Sequence, residues 1–313
     1  MPVTEPVRSR RSVWRPGRPV DVDATWGTLR RGGGDPTWKR RGAWLFRGIR
    51  TPAGPVTLAV TARPGQTEVM SQTWGTDAAM DWTLDRLPIM LGADDDPSGF
   101  TVHHEVLRRP WRARPGWRVP NTGLLMESLV PAIIEQKVTG AEAFAGQRAL
   151  VWRFGEPAPG VGEHMGLRVA PSPRRLTTIP SWEWIQMGIS PQRSDVVLKV
   201  ARIAGRLEEH AVTDPEEACR RMRAVPGVGL WTVAEVAQRA LGNADAVSFG
   251  DYHVAKNIGW ALTGAETDDA AAAQVLEPYR PHRYRVQRLV EMAGLSRPRR
   301  GPRMGLRHHL PSR

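Results

Sequence analysis

The stretch Ala224–Tyr252, AVPGVGLWTVAEVAQRALGNADAVSFGDY, constrains the fold of this chain most. Pro226–Gly229 reads Pro-Gly-Val-Gly, a tight turn between two segments of helical periodicity. The first begins at Thr213, where Thr-Asp-Pro-Glu reads as a capping box; the second opens near Leu230. Gly227 and Gly229 can take backbone angles closed to other residues and leave room for close approach to the main chain. The N–H groups of such a turn, and of the helix it opens, point outward and can bond a phosphate oxygen. Such contacts grip a nucleic-acid backbone without reading sequence. An ordinary turn between packed helices is the alternative. A lone aspartate, Asp251, follows Gly229 by 22 residues.

Around this element the chain divides into an α+β part and a mostly helical part. The runs AWLFRGIRT, PVTLAVTAR and TEVMSQTWG within 41–74, separated by Pro52-Ala53-Gly54 and Pro64-Gly65, predict an antiparallel meander, and 77–91 a helix. From Asn121 the spacing turns helical. LLMESLVPAIIEQ is one helix interrupted by Pro131, and Thr139 with Glu142 forms a capping box for the next, which Gly155 closes. Ser190-Pro191 starts another, with Val196, Val197, Val200, Ile203, Ala204 and Leu207 on one face, and further helices cover 252–262, 268–277 and 282–293. The expected organisation is a basic tail over 1–20, an α+β domain over 21–112, a helical domain over 113–296 and a second basic tail over 297–313. Arginines 8, 10, 11, 15 and 18, and 297, 299, 300, 303, 307 and 313, mark the tails.

Charge supports a polyanionic partner. The 313 residues carry 44 Lys+Arg against 32 Asp+Glu, net +12, and lysine stands only at 39, 137, 199 and 256. Arginine's planar fork suits phosphate, although solubility and compositional bias would give the same balance. One cysteine, Cys219, excludes an internal disulfide, a cysteine-based zinc site and a four-cysteine iron–sulfur cluster. No apolar run approaches the ~20 residues that span a bilayer. The charged N-terminus lacks an apolar signal core, so a cytoplasmic, nucleoid-associated protein without membrane contact is expected. Asp94-Asp95-Asp96 before Pro97-Ser98-Gly99 reads as a solvated turn, and His103-His104 and His308-His309 lack metal-ligand spacing.

The hairpin followed by an aspartate resembles the helix–hairpin–helix DNA glycosylases, and within them the 3-methyladenine DNA glycosylase II branch. LVPAIIEQKVT is similar to that branch's LVxAIxxQQVS segment, Pro226–Val233 to its PGVGLWTA, Asp251-Tyr252 to its Asp-Tyr pair, and RPHRYR (280–285) to its RPWRSY-like segment. The resemblance implies a monofunctional enzyme that hydrolyses the N-glycosidic bond of alkylated purines in duplex DNA, leaves an abasic site and works as a monomer. It implies Asp251 as the catalytic carboxylate; on local sequence alone that residue is a helix N-cap, and the two roles are compatible. Trp231 is a candidate pocket wall or a core residue. Relatives that also cut the strand carry a lysine there, so a Schiff base is not expected. Gln136, Glu235, Tyr252 and His282 are the other base-pocket candidates, with surface charge the alternative for Glu235 and a helix-start role for His282. Gly227, Val228, Gly229, Thr232 and Lys137 are the DNA-contact candidates, Lys137 standing where relatives insert an apolar wedge. No cofactor is required. The resemblance implies a structural sodium or potassium ion on the main-chain oxygens of Arg223, Val225 and Val228. A non-catalytic DNA-binding or damage-sensing protein, and a glycosylase for oxidised or deaminated bases, are the alternatives.

Overall fold

The computed structural model describes residues 8–63 and 67–298. The expected turn at Pro64-Gly65, the last histidine pair and the tail arginines from 299 onward lie outside the described residues.

Five antiparallel strands, β1 (Ser9–Trp14), β2 (Trp38–Arg41), β3 (Trp44–Thr51), β4 (Gly54–Ala62) and β5 (Val69–Gly75), form a sheet in the order β1-β5-β4-β3-β2. The helices are α1 (Val22–Trp26), α2 (Asp77–Met90), α3 (Arg108–Arg112), α4 (Leu125–Ile134), α5 (Gly140–Phe154), α6 (Val161–His164), α7 (Pro173–Thr177), α8 (Ser181–Gln186), α9 (Pro191–Arg202), α10 (Ala204–Glu208), α11 (Pro215–Arg223), α12 (Leu230–Ala240), α13 (Val254–Thr263), α14 (Asp269–Leu276) and α15 (Arg283–Met292). A small antiparallel sheet followed by a mostly helical remainder is the fold class the sequence predicts.

Three apolar cores organise these elements. Ile49, Val56, Leu58 and Val69 from the sheet close against Met80, Leu87 and Met90 of α2. The nearly all-apolar α4 is the axis of the second core, where Leu125, Leu129 and Ile133 meet Val197 and Val200 of α9 and Val236 of α12. In the third, Phe100, Leu107, Trp117 and Val119 pack with Ile258, Leu276, Tyr284 and Leu289. Part of the segment that sequence reading places in the N-terminal unit thus packs on the C-terminal helices.

Two buried ion pairs join the cores. Arg47 of β3 lies between the rings of Trp26 and Trp38, 4.9 and 4.5 Å from their centroids, and reaches Glu127 of α4. Arg285 of α15, wholly buried, pairs with Asp95, which also accepts the Val119 N–H at 2.9 Å. The Asp95 side chain is therefore a buried anchor, which corrects the solvated-turn reading at that residue, while Asp94 and Asp96 are exposed as expected.

The N-terminal arginines differ from expectation as well. Residues 9–14 form the edge strand β1, because Arg8 and Arg10 find Asp77 at 3.0 and 3.1 Å, and Arg15 finds Glu68 at 2.8 Å. Arginines on an edge strand guard the sheet against further pairing. At the other end, Arg297 is held by Glu266 at 2.8 Å. The α5 capping box forms as predicted. The one predicted at Thr213 shifts by a residue: Asp214 is the N-cap, accepting the Glu217 N–H at 3.0 Å with Pro215 in the first turn.

Candidate functional site: a hairpin above a polar cavity

The hairpin owes its shape to one glycine. Gly227 has φ +99°, and a Cβ there would stand 2.3 Å from Val196 Cγ2. Gly229 has φ −91° with open space around it, so the expectation that both glycines need special angles holds for Gly227 alone. No side chain caps α12, which leaves its first N–H groups facing out beside the turn. Gln136, expected in the pocket, holds this turn instead: its Nε2 donates to Gly227 O at 3.0 Å and to Thr232 Oγ1 at 2.9 Å. Thr232 and Val228 are buried and act as supports of the hairpin rather than exposed DNA contacts. Lys137, next along the chain, is exposed and holds a left-handed backbone, φ +56°.

Below the hairpin lies a cavity of about 300 Å³ that brings together Trp231, Glu235 and Asp251. Trp231 lies in the first turn of α12 and lines this cavity, its buried Nε1–H without a partner among the described residues. Asp251 is placed by the turn after α12. Its N–H donates to Ser248 O at 3.2 Å, and Gly250, φ +89°, lets the chain pass close to Trp231. Asp251 Oδ1 accepts the N–H groups of His253 and Val254 at 2.7 and 3.1 Å and so holds the turn that leads into α13, whose N-cap is His253 rather than Asp251. Both bonds fall on one oxygen, and Oδ2 takes none among the described residues. A fixed carboxylate with one oxygen to spare can face developing positive charge or take a proton from water.

The inner wall is polar. Glu235 is buried rather than a surface charge: Arg239 lies 2.9 Å away, and Ser248 Oγ donates to it at 2.6 Å. Gln238 and Gln287 bind the same serine hydroxyl at 2.7 and 3.3 Å. Tyr284, also on the wall, has its phenol pushed up to about 12 by burial and stays protonated. Glu135, which sequence reading passed over, lines the cavity too. Its Oε1 lies 3.0 Å from Arg31 Nη1, yet no hydrogen bond is aligned on it. Burial lifts its carboxyl above the usual range, Arg31 opposes, and Glu235 and Asp251 push further upward. The only local hint was a glutamate at the end of an apolar helix, beside Gln136.

Two candidates lie outside the cavity. Tyr252 is 68% exposed, and Lys256 Nζ sits 4.0 Å from its ring centroid. His282 is buried in the third core, edge-on to Phe100 at 6.1 Å, its Nδ1 facing Arg285 Nε at 3.2 Å. Each was taken from a family's sequence pattern, Tyr252 from the Asp-Tyr pair and His282 from the RPWRSY-like segment, but here Tyr252 meets Lys256 and His282 turns towards Arg285. Cys219 is half-buried, its thiol pushed up to about 11 by burial, and it is no nucleophile.

No protein-family model matches the chain. It is 28% identical over 149 residues to DNA-3-methyladenine glycosylase 2 of Escherichia coli, a match covering 47% of this chain and 52% of that protein. The chain thus matches about half the length of its curated relatives. The solved 3-methyladenine DNA glycosylase from Archaeoglobus fulgidus superposes with a TM-score of 0.72 at 15% identity, over 90% of this chain and 97% of the other. An 8-oxoguanine glycosylase/lyase from Clostridium acetobutylicum, solved with double-stranded DNA, gives 0.67 at 11% identity, over 91% and 96%. The resemblance to helix–hairpin–helix DNA glycosylases, and to the 3-methyladenine branch, is borne out, and the fold is theirs.

Proposed function

We propose that this chain is a DNA glycosylase that removes alkylated purines from duplex DNA by hydrolysis and leaves the strand intact at an abasic site. The observation that carries this reading is Asp251, which holds the turn before α13 with one oxygen, has the other free of hydrogen bonds among the described residues, and lines one cavity with Trp231. The hairpin and the start of α12 bind a phosphate, and the damaged nucleotide turns out of the stack into the cavity. The C1′–N bond then breaks, with its electron pair going to the base. An N-alkylated cationic purine leaves as a neutral molecule, so no acid is needed to protonate it. Positive charge grows on the sugar beside Asp251, which stabilises it. Water attacks C1′, and its proton passes to the carboxylate or to solvent.

Strand cleavage through a Schiff base needs an amine at the sugar. Trp231 stands at the helix start, and no lysine is among the residues lining the cavity. The likeness to the 8-oxoguanine enzyme favours a second reading, removal of oxidised purines, in which the neutral base leaves with the electron pair and takes a proton from water as the bond breaks. A monovalent cation on the main-chain oxygens of Arg223, Val225 and Val228 belongs to the proposal. Carbonyl oxygens suit a hard cation. Arg223 Nη1 stands 3.5 Å from Val228 O, so an ion would take the place of that guanidinium. No helix among the described residues is long and apolar enough to cross a membrane. Duplex DNA is the proposed partner of a monomeric enzyme.

Incubation with chemically methylated duplex DNA tests the reading. Methylated purines are expected in the soluble fraction, with strand breaks only after alkali. Breaks before alkali would contradict the hydrolytic route, and intact DNA with normal binding would favour a protein that only binds.

A further inference from the structure

A second cavity, of about 370 Å³, opens where the sheet meets the helical part. Among the described residues, none lines both it and the cavity below the hairpin. Its size falls among small-molecule sites, roughly 300–1,000 Å³. Leu29 before β2, Trp82 of α2, Met126 and Val130 of α4, Leu150 of α5 and Leu176 of α7 give it an apolar body. Val212, 52% exposed, lines it too, so the cavity reaches the surface just after α10.

The charged groups on its wall are already engaged, with one exception. Arg31 faces Glu135 at 3.0 Å, Glu127 pairs with Arg47, and Arg50 pairs with Glu156, each partner standing outside the cavity. Asp35 accepts the Arg31 N–H at 2.8 Å and the N–H and hydroxyl of Thr37 at 2.9 and 2.7 Å. Glu208 of α10 differs, because it has no ion pair among the described residues. Its carboxylate meets the Met126 N–H and so serves the first turn of α4, which has no side-chain cap of its own. One such bond leaves most of a carboxylate's acceptor capacity free. Glu127 Oε2 is sealed away without a partner, whereas neither oxygen of the half-buried Glu208 is, so a ligand can reach it.

An unneutralised carboxylate in apolar surroundings calls for a positive partner. Burial raises the Glu208 carboxyl above its ordinary range, with the Met126 N–H opposing, and a cation beside it restores the charged form. Trp82 adds an aromatic ring, whose face also attracts a cation. We propose that this second cavity binds a small organic cation, an aromatic or apolar body bearing a protonated amine, with the ammonium on Glu208 and the body among Trp82, Val130 and Leu176. An anion would meet the free carboxylate and find both arginines of the wall already paired. The site stands apart from the glycosylase reading and does not depend on it.

Tryptamine is the probe, and indole-3-acetate, an anion on the same ring, is its control. Calorimetric titration of the full chain near neutral pH should show one tryptamine bound per chain, and indole-3-acetate weaker by at least about tenfold. This comparison needs no substitution. Glu208→Gln keeps an acceptor for the Met126 N–H and removes the charge, so tryptamine affinity should fall by about tenfold, the difference between a charge-assisted and a neutral hydrogen bond. Acidification that protonates Glu208 should weaken tryptamine in the wild type and leave Glu208→Gln unchanged. The cavity below the hairpin also holds carboxylates and a tryptophan, so Asp251→Asn is titrated alongside and should bind tryptamine as the wild type does. No binding of tryptamine by the wild type, equal affinity for the two indoles, or a loss in Asp251→Asn with none in Glu208→Gln overturns the inference. Each of these leaves the glycosylase reading intact, because that reading is tested by base release.

Discussion

At the scale of single residues, the two oxygens of one carboxylate differ in their surroundings. Asp251 Oδ1 holds the turn before α13, whose N-cap is His253, while Oδ2 takes no hydrogen bond among the described residues. Glu135 stores a different quantity. Its carboxyl is raised by burial, so the folded protein binds a proton more tightly than the unfolded chain does. Stability from this group is complete below the ordinary glutamate range and is lost as pH rises through the raised value. Glu127 and Glu208 are raised by burial in the same direction. Thermal unfolding as a function of pH should therefore show a melting temperature that declines less steeply above pH 5 in Glu135→Gln than in the wild type; a steeper decline in the variant would contradict the assignment. Asp251 and Trp231 were legible in the sequence because a short spacing from the hairpin fixes them. Glu135 was not, because its partner Arg31 comes from a loop before β2, far away along the chain. Tyr252 and His282 were misplaced because a family's sequence pattern does not fix where this chain turns each side chain.

At the scale of elements, a hairpin is only as good as the angle it holds. Gly227 needs its positive φ and touches Val196, whereas Gly229 needs neither. Gly227→Ala should cost about 2 kcal/mol of stability, and Gly229→Ala should stay within about 0.5 kcal/mol. Urea unfolding of the two variants checks this, and equal losses would contradict the geometry. Apolar periodicity made α2, α4, α5 and α12 readable, and Pro/Gly punctuation did the same for β3, β4 and β5. β1 was hidden because its arginines look solvated until their acidic partners on other elements are known. The face predicted to run from Val196 to Leu207 is shared by two helices, α9 and α10, with the break at Ile203.

At the scale of the whole molecule, the sheet and its helix buttress α4 through the Arg47–Glu127 pair, while the C-terminal helices hold residues 95–119 through Arg285 and the third core. The cavity draws its walls from five segments: Thr28 from the N-terminal part, Glu135 from the end of α4, Trp231 and Glu235 from α12, Asp251 and Asn257 around the start of α13, and Gln287 from α15. A fold class could be read from local patterns, but a wall assembled from five distant segments could not. A net charge of +12 favours any polyanion whether or not chemistry follows, so affinity for DNA alone does not test the central claim. The direct test compares Asp251→Asn with the wild type in single-turnover base release from methylated duplex DNA, with DNA affinity and melting temperature measured on the same samples. Asparagine keeps an oxygen that can accept the His253 and Val254 N–H groups, so folding and binding should hold while release falls by at least about a hundredfold. Release at the wild-type rate would contradict the account.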